Sequence, residues 1–246
     1  MGQCLITKLK ESVKDSSLLK IGEKTFILKA NKSVTLRGNN MLVRVVSGDT
    51  FNAVSTASDV PAQYNIKEYR IVGGYVAFTN NGDTDMIVGV RELTNMIAFS
   101  SQSSEDVEID LSFFDIYQKD MEELTLWGAK VVGGTLQDIL HINDTKRTLL
   151  LNFRNCQGLS GNYEDLGDFN LNSMPIVANC PNVTGEIIEF VKRQRAAGKT
   201  TASYNENDWC SGSGLTFNGV KVPAVDWTAI SWTANTITFN GNTINV

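Results

Sequence analysis

A chain of 246 residues with 42% hydrophobic and 20% charged side chains can bury a substantial core, and its composition excludes disorder and fibrous repeats. The net charge of −5 is unevenly spread: residues 1–104 carry 12 Lys/Arg against 9 Asp/Glu, and residues 105–246 carry 10 against 18. The acidic part lacks the clustered cations that hold phosphate, and the cations of the first part are scattered, so nucleic acid is not an expected partner.

The opening "MGQCLITKLKESVK" has no apolar signal-peptide core, and no stretch of the chain approaches the ~20 apolar residues of a membrane span. A chain made and kept in a reducing compartment, or exported without a cleaved signal, is expected, with no membrane partner. "MGQC" resembles an acylation start but carries Ile6 where that pattern wants Ser or Thr.

The first hundred residues read as short β-strands. "KTFILKA", "SVTLRG", "MLVRVVSG" and "EYRIVGGYVAFTNNGDTDMIVGVREL" are rich in β-branched and aromatic residues and are punctuated by Gly22, Gly38, Gly48, Gly73-Gly74 and Asn81-Gly82. Strands at such spacing predict a β-sandwich or small barrel. The polar run "SSQSSED", Ser100–Asp106, predicts a linker or exposed loop, and a domain boundary is placed there.

Beyond it the chain repeats itself. "NCQGLSGNYEDL" begins at Asn155, and "NCPNVTGEIIEF" begins at Asn179. Both follow Asn-Cys with an aliphatic residue (Leu159, Val183), a hydroxyl (Ser160, Thr184) and a glycine (Gly161, Gly185). "GAKVVGGTLQDI", with Gly134, is a weaker third copy. The aliphatic residues Leu126, Leu151 and Ile176, evenly spaced along the chain, set the expected period at about 25 residues. Such a unit cannot bury its own apolar face, so successive units must stack, with one short strand per turn and parallel pairing. The glycine permits a tight turn with positive φ. Cys156 and Cys180 would then lie in adjacent rungs as small apolar filler, with Asn155 above Asn179. The last unit predicts a helix from Glu186 to Ala197, with Ile187, Phe190, Val191 and Gln194 on one stripe and Gly198 as its stop.

The tail predicts hairpins. "GLTFNGVKVP" and "TITFNGNTINV" share Thr-Phe-Asn-Gly, and Asn-Gly between alternating residues is a strong hairpin signal. Trp227 and Trp232 would face opposite sides of a strand.

The residues of chemistry are sparse. His141 is the only histidine, and Cys4, Cys156, Cys180 and Cys210 contain no Cys-x-x-Cys, so neither a zinc site nor a catalytic triad is expected. The cysteines are also too widely spaced for a disulfide framework. "AAGKTTA" has the Gly-Lys-Thr of a phosphate loop but follows a helix instead of opening one. No cofactor is expected. The carboxylates Asp106, Glu108, Asp110, Asp115, Asp120, Glu122, Glu123, Glu164, Asp165 and Asp168 leave open a glycosidase cleft, which needs two of them facing each other.

Two resemblances add to these readings. "LLLNFRNCQGL" and "MPIVANCPNV" resemble the leucine-rich repeat, with Asn155/Cys156 and Asn179/Cys180 in the family's Asn/Cys place; Ala129 departs from it in the first unit. More broadly, "CLITKLKESVKDSSLLKIGE", the β-rich first third and the repeat together look like virion proteins of Bacteroides-infecting tailed phages, including crAss-like phages. That resemblance implies a structural role and transfers no catalytic residue.

The expectations are therefore these. The fold is mixed, β-rich α+β: a β-sandwich-like anchoring domain over 1–104, a leucine-rich-repeat-like segment of strand–turn–helix units over 105–213 and a C-terminal hairpin region over 214–246. The protein is a non-enzymatic virion component of head, tail or fibre, a homo-oligomer whose partners are other virion proteins and a host surface glycan or receptor. The rival reading is a bacterial adhesin module that binds carbohydrate or protein through exposed aromatics among Trp127, Tyr204, Trp209, Trp227 and Trp232; a glycan hydrolase is a second alternative.

Overall fold

A computed structural model describes residues 22–48, 50–55, 68–91, 96–116, 122–142, 150–169, 171, 173–206, 208–224 and 228–246. The acylation-like start, Cys4, Asp120 and Trp227 lie outside the described residues, as do the side chains of Asp115 and His141.

The expected β-rich mixed class holds. The N-terminal strands are β1 (Lys24–Leu28), β2 (Ser33–Ser47), β3 (Phe51–Ser55), β4 (Glu68–Asn80), β5 (Met86–Arg91), β6 (Met96–Ser101) and β7 (Val107–Asp110). β1 pairs antiparallel with β5 and β7, and β2 pairs antiparallel with β4, β5 and β6. The sheet thus curls from β6 through β2, β5 and β1 to β7.

β6 and β7 also begin a stack of turns. The next are built from β8 (Glu123–Trp127) and β9 (Ala129–Gly133), β10 (Leu150–Arg154) and β11 (Ser160–Asn162), and β12 (Ile176–Ala178) and β13 (Asn182–Glu186). First strands pair in parallel, β6 to β8 to β10 to β12. Second strands pair in parallel as β7 to β9 and as β11 to β13. A 3-10 helix closes each of the first three turns, at Leu111–Ile116, Leu136–Ile142 and Tyr163–Asp168, and an α-helix, α1 (Ile187–Ala196), closes the fourth.

Alternation makes this stack. Along β6, β8 and β10 every second residue points inward, so Leu36, Phe99, Leu126, Phe153 and Val177 form one register row across five strands, each at most 1% exposed. This row corrects the even period expected from Leu126, Leu151 and Ile176. Leu126 pairs with Phe153, 27 residues on, and Phe153 with Val177, 24 residues on, whereas Leu151 pairs with Leu124. The loops absorb the difference, because only the strands are bound by register.

The run Ser100–Asp106, expected as a linker, includes the end of β6 and the corner joining it to β7. One core cluster extends from Phe26 to Phe239 without interruption at this corner. The Phe26 ring meets Phe99 at 5.1 Å and Phe99 meets Phe113 at 5.4 Å, tying the N-terminal strands to the first turn.

Glu186 caps α1 by accepting from the Ile188 amide, and Ile187, Phe190, Val191 and Gln194 are its buried stripe. At the other end Lys199 N–H donates to Gln194 O and Gly198 N–H to Arg195 O, a Schellman closure with Gly198 at φ 97°.

The tail holds β14 (Ala202–Tyr204), β15 (Gly214–Phe217), β16 (Val220–Lys221), β17 (Ile230–Trp232), β18 (Thr236–Phe239) and β19 (Asn242–Asn245). β15 continues the stack by pairing in parallel with β13. Both Asn-Gly turns have positive φ at both residues, 52° and 76° at Asn218-Gly219 and 47° and 80° at Asn240-Gly241. The repeated phenylalanines Phe217 and Phe239 stack on each other at 5.2 Å.

Candidate functional site

The repeat residues occupy equivalent corners. Asn155 and Asn179 both follow a first strand, both have φ 52°, and each N–H donates to the next turn, to Ala178 O and Ser211 O. Gly128 and Gly212 hold the same corner in the neighbouring turns, at φ 74° and 69°. The Asn179 side-chain amide donates to the Asn155 side-chain oxygen at 3.0 Å. One residue on, Cys156 and Cys180 are fully buried free thiols that donate to Leu126 O at 3.2 Å and Phe153 O at 3.7 Å in the preceding turn. Hydrogen bonding with Cys180, reinforced by burial, holds the Cys156 thiol well above the usual thiol range. This column closes strand ends.

Gly134, Gly161 and Gly185 precede the closing helices with φ 80°, 139° and 132°. A Cβ on Gly161 would meet Leu136 Cβ at 2.8 Å, and one on Gly185 would meet Asn162 Oδ1 at 2.5 Å. That oxygen accepts from Glu164 N as the cap of the preceding helix. The glycines let one turn's corner rest on the helix start of the turn before it.

The expected aromatic platform is corrected. Trp209 is 0% exposed and Trp232 is 3% exposed. The Trp209 indole N–H donates to Thr228 O, and its ring packs 5.7 Å from Tyr163. Trp232 donates to Lys199 O at 2.9 Å and lies beside the partly buried Tyr204 at 5.8 Å. These large rings fill the core behind α1 and under the tail hairpins, where their area is removed from water. Among the described residues the exposed tryptophan is Trp127, at 49%.

Trp127 ends β8 on the outward face of the parallel strands. It is in register with Ser100 of β6 and Arg154 of β10. One row along the strands, Ala98, Thr125 and Asn152 are in register, and Arg37 of β2 and then Tyr75 of β4 continue that row. The middle of this face is small (Ala98, Ser100, Thr125), with Trp127 and Arg154 on one side and Arg37 on the other. Glu123 lies on the same face and is held by the Thr125 hydroxyl at 3.2 Å. Among the described residues neither the Arg37 nor the Arg154 guanidinium has a hydrogen bond or salt bridge. The Asn152 side-chain oxygen is shielded and also without a partner.

The carboxylates are held in pairs. Asp106 faces Lys32 at 3.2 Å, Glu108 faces Lys29 at 2.8 Å, and Arg193 bridges Asp165 at 3.0 Å and Asp168 at 3.2 Å. Asp110 accepts from Ser112 N, and Glu164 accepts from Glu186 N. Among the described residues no group of His, Cys, Asp and Glu could hold a metal ion. In "AAGKTTA", Lys199 donates to Leu171 O at 2.8 Å, so its ammonium serves the loop packing.

No family model, curated protein or solved structure matches the chain. No helix among the described residues is long and apolar enough to cross a membrane.

Proposed function

We propose that the chain is a non-enzymatic structural component of a tailed-phage virion, in head, tail or fibre. In this reading its N-terminal strands are the sandwich-like anchor on the particle, and its stacked turns are a short leucine-rich-repeat-like solenoid that presents an outward face to a partner. The observation that carries it is the register row from Leu36 to Val177: it continues the N-terminal sheet into the stack, and so sets Ser100, Trp127 and Arg154 side by side on one outward row. An aromatic, partly cationic face suits recognition, since aromatic and Arg residues dominate interface energetics. Its partners are other virion proteins, further copies of the chain, and a host glycan or receptor.

Mass spectrometry of purified particles tests the reading. The chain should appear at structural stoichiometry; its absence there would overturn the virion role. The adhesin reading is kept alive by exposed Trp127 and is favoured if the chain is found on a bacterial surface instead. A glycan hydrolase is less well supported, because Asp106, Glu108, Asp165 and Asp168 are engaged with Lys or Arg.

A further inference from the structure

We infer that the outward face of β2, β6, β8 and β10 binds a linear carboxylated polysaccharide. The inference rests on the reading of this face as a recognition surface and names its ligand chemistry.

Two features point to that ligand. Trp127 presents half of its surface on a strand end, flanked in register by the small Ser100, so one indole edge is open to a flat, partly apolar ring. Arg154 and Arg37 are cations with no counter-ion among the described residues, on a protein whose net charge is −5. An unpaired planar guanidinium is matched by a carboxylate, which it holds bidentately.

The spacing suits an extended chain better than a single small molecule. Arg37 and Arg154 are three strands apart, about 14 Å across the sheet at the usual strand separation. Ala98 and Thr125 between them keep the floor low, so a polymer can cross from one cation to the other. A polyuronate carries both the sugar faces for Trp127 and carboxylates at regular intervals for the two arginines. An acidic protein segment would satisfy the cations but gives no reason for the open indole.

Affinity electrophoresis in native gels tests this, with polygalacturonate, dextran and poly-glutamate as probes. The full chain should be retarded by polygalacturonate, with retardation falling as salt rises, and should pass dextran and poly-glutamate freely. Trp127→Ala should weaken polygalacturonate binding by about tenfold or more, and Arg37→Gln with Arg154→Gln should abolish it. Circular dichroism melts of each variant show whether the fold is retained, which these outward side chains favour. No retardation by polygalacturonate, or equal retardation of the Trp127→Ala protein, overturns the inference. Equal retardation by poly-glutamate reassigns the face to an acidic protein and also overturns it. The virion reading fails separately: particles lacking the chain would refute that role whatever the gels show, and particles containing it would leave a negative gel result against the ligand alone.

Discussion

The side-chain amide of Asn179 reaches up one turn and donates to the side-chain oxygen of Asn155 at 3.0 Å, while both residues hold the same left-handed backbone at φ 52°. Two identical corners are thereby stacked and linked. Asparagine suits the place twice over, since it tolerates that backbone better than most residues and carries both donor and acceptor. Asn179→Gly keeps the backbone and loses the link, which should cost about 1 kcal/mol. Asn179→Ala loses the link and adds about 1–2 kcal/mol of backbone strain. Urea melts should rank wild type above Gly above Ala; an Ala variant as stable as the Gly variant would show that the corner is not strained.

Gly185→Val should cost more than Cys180→Ala. The first places a β-branched residue at φ 132° and drives its Cβ toward Asn162 Oδ1, the cap of the preceding helix. Strain of about 1–3 kcal/mol and a lost cap of about 1 kcal/mol combine. The second removes one small buried group, whose thiol meets the Phe153 and Ala178 carbonyls and the Cys156 thiol, at about 1 kcal/mol. Thermal midpoints of the full chain decide the order. Equal losses would mean that the cysteine does more than fill space.

The two tryptophans at opposite ends of exposure should separate cleanly. Trp209→Ala empties a fully buried site packed on Tyr163 and Phe239, with an expected loss of about 3–5 kcal/mol. Trp127→Ala should change stability by no more than about 0.5 kcal/mol. Chemical denaturation measures both; a large loss at Trp127 would show that its ring is packed and not displayed.

Alkali should destabilise the fold before it denatures by charge alone. Burial pushes the Cys210 thiol and the Tyr163 phenol well above their ordinary values of 9.0 and 10.0. In the folded state both therefore stay protonated where the unfolded chain has released its protons. The stability they contribute is complete below pH 9 and is lost as pH rises through 9 for the thiol and through 10 for the phenol, by at most about 1.4 kcal/mol per pH unit for each group. Urea midpoints at pH 7, 9.5 and 10.5 should fall in that order. Tyr163→Phe should flatten the last step, at a cost of about 1–2 kcal/mol at pH 7 from the Pro175 carbonyl left unpaired. A midpoint that does not move between pH 7 and 10.5 would contradict the burial of both groups.

Much was legible in local sequence. The duplicated Asn-Cys corner, the three pre-helical glycines, the stripe of α1 and both Asn-Gly turns are set by residues within a few positions of one another, because positive φ and capping are short-range demands. Ala202–Tyr204 gave no comparable signal, since a three-residue strand is defined by its partner Ile230–Trp232 and not by its own pattern.

By itself, then, the sequence determined the β-rich class and the repeating corner of the stack, since both follow from alternation and from backbone conformations that few residues accept. Tertiary structure decided register, enclosure and exposure. The pairing of Leu126 with Phe153, in place of Leu151, depends on strands brought together across loops of unequal length. The curl of β2, β5 and β1 from β6 round to β7 joins the expected anchor to the first turn of the stack. Of the tryptophans marked for display, Trp209 and Trp232 went into the core and Trp127 stayed outside, because burial is set by what packs against a ring and not by the ring's own neighbours in the chain.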